Sequence, residues 1–235
     1  RSFPVLQLLD QVENRTLDMR FNFRGPRPPD DRVVVVAIDG NTFNRLGWPF
    51  PRFYHARVVD RLRKDGARAV AFDIAFSTPD PNSPASFFRR LVEEADRSGA
   101  AADAASLGRV KQLAERMDSD RQFAEALKQA DNAVLGHTFL FDPREQASLD
   151  AETVRQYNEV LAFQAYPQIR KLGGFPGPYY LENPDVPGTQ FDGQGVIPNL
   201  RQFADAAKSA GFFNFTADSD GVFRRAPLAI RYSEK

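Results

Sequence analysis

The sequence predicts an α/β protein, a layered α/β/α domain with a mixed, mainly parallel sheet, a C-terminal β-hairpin and long helical and loop insertions. Three observations carry that expectation. Val33–Ile38 is an uninterrupted apolar run of strand length, and Arg68–Phe76 is apolar apart from Arg68 and Asp73, as strands buried on both faces require. A segment with helical periodicity, Phe53–Lys64, lies between them and gives a βαβ unit, which is right-handed as a rule. Near the end, Asp218-Ser-Asp-Gly221 separates two strand-like runs and carries hairpin-turn chemistry.

Taken in order, residues 4–23 predict a helix in which Val5, Leu8, Leu9, Val12, Leu17 and Phe21 form an apolar stripe. Arg24-Gly-Pro-Arg-Pro-Pro29 stops it. The first strand runs to Asp39, with Gly40 and Asn41 as a turn, and Gly47-Trp-Pro-Phe-Pro-Arg52 forms a stiff loop. Tyr54, Val58, Val59 and Leu62 mark the buried face of the next helix, ended by Asp65-Gly66. The second strand carries Asp73 close to its C-terminal end, as the first carries Asp39. Residues 77–117 form an insertion whose later part is helical. Asp118–Ala130 is a helix with Asp118 or Ser119 as N-cap, and Asn132–Phe141 a third strand. Residues 142–198 form a second insertion, with a polar helix over 151–165 and a Pro/Gly-rich excursion after it. Leu200–Ala210 predicts a helix ended by Gly211. The hairpin strands are Phe212–Thr216 and Val222–Tyr232.

The whole chain reads as a single domain of 235 residues: an N-terminal helix to residue 24, a core over 32–76, the two insertions, and a closing helix and hairpin over 199–235. Lys and Arg number 31 and Asp and Glu number 31, so bulk charge gives no support to nucleic-acid binding. The absence of cysteine excludes disulfides, thiolate metal sites and thiol nucleophiles. No run approaches the roughly 18 apolar residues of a membrane span. His55 and His137 have no second ligand at zinc spacing, and no GxSxG, Walker A or GxGxxG pattern occurs. No metal or cofactor is expected.

The candidate binding residues are Asp39, Trp48, Arg52 and Asp73. Adjacent parallel strands bring the two carboxylates to the edge where open α/β sheets bind ligands. Two close anions call for a cation: a metal, an arginine or a ligand amine. The alternative is that each aspartate caps a helix or pins a loop. Arg52 stands at a helix start, where the macrodipole opposes a cation, so it calls for an anionic partner. Asp39, Asp73 or a ligand carboxylate would serve, and an internal salt bridge is the simpler of these. Trp48, the sole tryptophan, either stacks on a ligand or plugs the space between loop and sheet.

Asn214, Asp218, Asp220, Gly221 and Arg224 belong to the hairpin turn. Asp218 and Asp220 fall short of a calcium loop, because Thr216 stands where the first acid is needed and Pro227 where the bidentate one belongs. Strand alternation allows one of Arg224 and Arg225 to face inward.

A family resemblance joins these pieces. Asp18-Met-Arg-Phe21 with Arg24-Gly25, Val35-Val-Ala-Ile-Asp39, Leu46-Gly-Trp-Pro-Phe-Pro-Arg52, Asp60-Arg-Leu62, Gly66-Ala67, Val70–Phe76, Gly211, Asn214 and Asp218–Val222 with Arg224–Pro227 resemble, in order and spacing, the CHASE type-two domain. That family belongs to the cyclase- and histidine-kinase-associated sensory extracellular group. The resemblance implies an extracytoplasmic sensor domain in a bacterial receptor, held in the cytoplasmic membrane by flanking helices and facing the periplasm or cell exterior. It also implies a cyclase, histidine kinase or Ser/Thr kinase output and no catalysis in this domain. The helix over 4–23 would continue a membrane span, and the domain would be completed beyond residue 235. The expected partner is an unknown small ligand or an envelope protein, within a homodimer.

Two rivals stand beside this reading. One is a structural dimerisation or protein-interaction domain. The other is an aspartate-nucleophile phosphohydrolase of the haloacid-dehalogenase type, suggested by Asp39-Gly-Asn-Thr42. That chemistry wants a second aspartate two positions away, where Ala37 and Asn41 stand.

Overall fold

The computed structural model describes residues 4–98, 104–162 and 192–232, apart from 194, 216, 219, 228 and 229. The chain divides into two compact units, Arg1–Trp48 and Pro49–Lys235.

In the first unit, α1 (Pro4–Arg24) is the expected helix, ended by Gly25 in the left-handed region. Residues 33–38 correct the sequence reading, because they form no strand. The run is exposed, with Val33 to Val36 between 59% and 85% accessible. Branched β-carbons favour extended backbone, but a strand exists only through a partner's ladder. Among the described residues no segment supplies one. The expected turn at Gly40 is instead the start of α2 (Gly40–Leu46), which Asp39 caps.

The second unit holds every buried hydrophobic residue among those described. Its sheet is built around β2 (Ala133–Leu140), close to the predicted bounds. On one edge β2 pairs in parallel with β1 (Val70–Phe72), Val70 opposite Ala133, and antiparallel with β4 (Gly195–Ile197), Thr138 opposite Ile197. It also pairs in parallel with β5 (Ser209–Phe212), Leu135 opposite Ala210. The sheet is therefore mixed and mainly parallel, the α/β class expected. Its parallel partners differ from those expected, because β1 pairs with β2 and not with 33–38.

Alternation along β2 points Ala133 and Leu135 into a core shared with three helices: α3 (Phe53–Lys64), α6 (Ser119–Ala130) and α9 (Arg201–Ala206). Val59, Phe123, Leu127 and Phe203 in this layer are fully buried. Each such side chain contributes roughly 1.5–3 kcal/mol by leaving water. Phe76 meets Phe123 edge to face at 4.9 Å, and Phe123 lies tilted against Phe203 at 5.1 Å. Asp118 caps α6, accepting from the amides of Asp120 and Arg121.

Both insertions are partly helical. Residues 77–117 hold α4 (Pro84–Ser98) and α5 (Ala104–Arg116). The second insertion holds α7 (Pro143–Ala147), α8 (Ala151–Ala162), β3 (Asp192–Gly193) and β4. Its Pro/Gly-rich excursion lies outside the described residues.

The C-terminal expectations need two corrections. The helix at 200–210 ends at Ala206, because from Lys208 the chain joins the sheet: the Lys208 amide donates to Ala133 O at 3.0 Å and β5 follows. Ladder bonds here override helix propensity. No hairpin strands flank the turn among the described residues. Its first strand is replaced by β5, and β6 (Arg231–Tyr232) pairs in parallel with β3. The ladder on that side ends at Asn214, whose carboxamide accepts from Phe139 N and donates to Phe139 O, both at 2.8 Å. A side chain there does the work of a strand peptide. Beside it, Gly136 carries no Cβ because one would lie 2.4 Å from the Phe213 ring and 2.7 Å from Phe72 O.

Candidate functional site

The site grows from Arg52. It precedes the first turn of α3 in helical conformation, and its side chain is only 11% exposed. A buried guanidinium at a helix N-terminus needs anions. Asp120, in the first turn of α6, accepts from Nη1 at 2.6 Å, and Thr78 O accepts from Nη2 at 2.6 Å. The carboxylate of Asp80 accepts from the Arg52 amide at 2.7 Å, and the Asp80 amide donates to Asp120 at 3.0 Å. The guanidinium also lies 5.3 Å from the centroids of the Phe76 and Phe203 rings. Two helix N-termini and one guanidinium thus face two carboxylates, which lets both acids be buried together.

His55 packs into the same core, 4.9 Å from the Phe50 ring and 5.3 Å from that of Phe76. Burial, reinforced by the Arg52 charge, lowers its pKa to about 4. Burial alone lowers that of His137, on β2, to about 4. Both rings are neutral near pH 7.

Beyond the C-terminal end of β1, the segment 76–80 links this network to a cavity. Phe76 N donates to Asn199 Oδ1 at 2.7 Å, and Leu200 N donates to Phe76 O at 2.7 Å. Asn199 Nδ2 donates to Gly136 O at 2.9 Å, so one buried carboxamide ties β2 to the end of β1. Next to this junction lies a cavity of about 200 Å³ between Ser77, residues 156–160 of α8 and residues 199–201. It sits at the edge where parallel α/β sheets commonly bind ligands.

The residues expected to form a cleft are placed as follows. Asp39 is the N-cap of α2, accepting from Thr42 N and Thr42 Oγ1 at 3.0 Å, and these bonds lower its pKa. This is the helix-capping alternative. Trp48 is 57% exposed and edge-on to Phe43 at 5.5 Å. Both belong to the first unit. Arg52 and Asp73 belong to the second. Asp73 is exposed one residue past β1, and the acid that pairs with Arg52 is Asp120, not Asp39 or Asp73.

The turn residues do come together. Asp218 N donates to Val222 O, Gly221 N to Asp218 O, and Gly221 has φ +80°. Arg224, its side chain 7% exposed, binds Asp218 and Asp220 at 3.0 and 2.8 Å. It holds the Asp220 pKa down to about 2. Arg225 stays half exposed. Among the described residues no group of three or more His, Asp or Glu side chains is arranged to hold a metal.

Sequence reasoning missed Asp80, Asp120 and Asn199. An acid in a first helical turn, an aspartate between prolines and an asparagine before a helix each read as local capping. The one available signal was that Arg52 demands a buried anion, and it does not single out Asp120.

No curated protein and no solved structure matches the chain. Among the described residues no helix is long and apolar enough to cross a membrane. The family model described as the CHASE2 domain matches residues 2–233 and so takes in every motif from Asp18 to Pro227 on which the resemblance rested. With a mixed α/β sheet and a match over essentially its whole length, the chain belongs to the CHASE2 domain family of extracytoplasmic sensory domains.

Proposed function

We propose that this domain is the sensory input of a bacterial transmembrane receptor, that it faces the periplasm or cell exterior, and that it responds to a small ligand held beyond the C-terminal end of β1. The observation that carries this reading is the continuity between the cavity and the core. Asn199 and Leu200 at the cavity hydrogen-bond to Phe76, and Thr78, two residues along the same segment past Ser77, accepts from Arg52 of the Arg52–Asp120 pair. A ligand that favours one arrangement of segment 76–80 would shift α3 against α6 by its differential affinity for the two arrangements. Arg52 is then the transmitter of the signal, and the ligand anchor lies elsewhere. The output is a cyclase, a histidine kinase or a Ser/Thr kinase across the membrane.

Thermal unfolding of the domain against a panel of metabolites, anions and divalent cations tests the reading. A ligand at a hundred times its dissociation constant adds about 2.7 kcal/mol. A panel in which no compound moves the melting temperature would turn the account toward sensing of an envelope protein. Kinase or cyclase output of the receptor in membrane vesicles should also change when the stabilising compound is added. Unchanged output would sink the receptor role.

A homodimer is part of the proposal. Along α1, Leu9, Val12, Met19 and Phe23 are each more than half exposed, and with Thr16 they follow an alternating three–four spacing. That is the seam a two-helix coil buries. Sedimentation should give a dimer that Val12→Glu with Met19→Glu dissociates.

A further inference from the structure

We infer that Val33–Ile38 of one copy of this chain adds as an antiparallel strand to the outer edge of β1 in a second copy, so that two chains exchange strands. The inference rests on the homodimer reading and gives that dimer a contact separate from the α1 seam.

Two incomplete features lead to it. The first is the edge. The Val70 amide donates to Asn132 O at 3.1 Å, toward β2, and successive strand amides point to opposite edges. The backbone groups of Ala69, Ala71 and Asp73 therefore point away from β2, to an edge where no strand pairs among the described residues. All three residues are exposed. Such an edge is a template for another strand. The second feature is the valine run. Its backbone has no ladder among the described residues, and Val33 to Val36 stand in water. The edge lacks a backbone partner and the run lacks both partner and cover, so each supplies what the other needs. Every copy carries one run and one edge, so two copies related by a two-fold axis leave neither open.

Charge fixes the direction. β1 lies between Arg68 and Asp73, neither of which has an ion pair among the described residues. The run lies between Arg32 and Asp39. Parallel pairing sets arginine beside arginine and aspartate beside aspartate. Antiparallel pairing with Val35 opposite Val70 sets Arg32 opposite Asp73 and brings Asp39 diagonal to Arg68 on one face. Arg32 now forks onto Asp30, an exposed pair that water screens and a cross-strand acid replaces at small cost. In this register Val33 and Val35 continue the face of Phe72 and Val70. That face packs against α3, where the His55 ring lies 6.1 Å from that of Phe72.

Sedimentation of the wild-type chain and of Arg32→Asp and Asp73→Arg tests the inference. Both positions are exposed in one copy, so each variant should unfold like the wild type when dilute enough to be monomeric. Each reversal sets like charges opposite one another at two symmetry-related places. It should raise the dimer dissociation constant at least about tenfold. Mixing the two variants should restore it. In the mixed dimer the new acid of one copy faces the new base of the other, and the two native partners stay paired. Amide exchange at Val34 and Val36 should be slow in the dimer and fast in the dilute monomer.

Restoration in a chain carrying both reversals, but not on mixing, would set the run against β1 of its own copy and overturn the inference. A dimer whose affinity neither reversal changes, with residues 33–38 exchanging freely, also overturns it and leaves the α1 seam standing. A chain that is monomeric at every concentration overturns the homodimer reading as well.

Discussion

The two units of this chain solve the same problem in opposite ways. Residues 49–235 bury their aromatic and aliphatic side chains against a sheet and satisfy a buried arginine with two acids. Residues 1–48 have apolar sequence of comparable quality, four consecutive valines and a striped helix, yet present it to solvent. What separates them is partnership. Hydrophobic sequence becomes stable structure only where another element takes up its backbone bonds and covers its side chains. β1, only three residues long, is secured by β2 on one edge. Val33–Ile38, six residues of stronger strand propensity, has no ladder among the described residues.

Five perturbations sharpen or break that contrast. The largest effect belongs to the buried pair. Asp120→Ala strands a guanidinium inside the second unit and should cost about 3–5 kcal/mol in chemical denaturation. A loss below 1 kcal/mol would mean that Arg52 reaches water.

Acid comes next. His55 and His137 have folded pKa values of about 4, below the ordinary value of about 6.5. Lowered values for a base mean that unfolding takes up protons. Stability is thus full above pH 6.5 and falls between pH 6.5 and 4, by roughly 3 kcal/mol per histidine at the acid end. His55→Phe should flatten part of that slope in unfolding curves taken across the window. An unchanged slope would place the His55 ring in water.

Gly136→Ala puts a methyl group against the Phe213 ring and Phe72 O, and should cost about 1–3 kcal/mol or more, read as a lower melting temperature. In the first unit the expected effects are smaller. Asp39→Ala removes the cap of α2 and should cost about 1 kcal/mol, with a matching loss of helical circular dichroism. Val35→Ser should change stability by less than about 0.5 kcal/mol, as befits an exposed position. A cost of 2 kcal/mol or more would restore the buried strand that the sequence predicts there.

Much of the second unit was legible in the sequence for reasons of period and punctuation. The helix at Phe53–Lys64, the cap at Asp118 and the strand through Gly136 are local facts, fixed by spacing, Asx chemistry and β-branched content within a dozen residues. Arg52 was legible too, because a cation at a helix start is an anomaly that demands an anion. The identity of that anion was not. Asp120 lies 68 residues away, and nothing local distinguishes it from Asp39 or Asp73. The same limit explains the C-terminal errors. Ser209 and Ala210 continue a helix-compatible run and enter β5 only because β2 offers a free edge. Asn214 looks like a turn residue and is a ladder substitute. The sequence points to a cleft around Asp39, Trp48, Arg52 and Asp73, and the cavity beyond β1 is lined by none of them. Its walls come from an insertion helix with no family signal and from the residues before α9.

The central claim is that a ligand at the cavity acts on the Arg52 network through segment 76–80. Hydrogen exchange of the intact chain, with and without the panel compound that raises its melting temperature most, tests it most directly. The account predicts slower exchange in residues 76–80, 156–160 and 199–201, extending to the first turn of α6 around Asp120. Ligand-dependent protection confined to residues 39–48, with the cavity and Asp120 unchanged, would contradict it and return the binding site to Asp39 and Trp48.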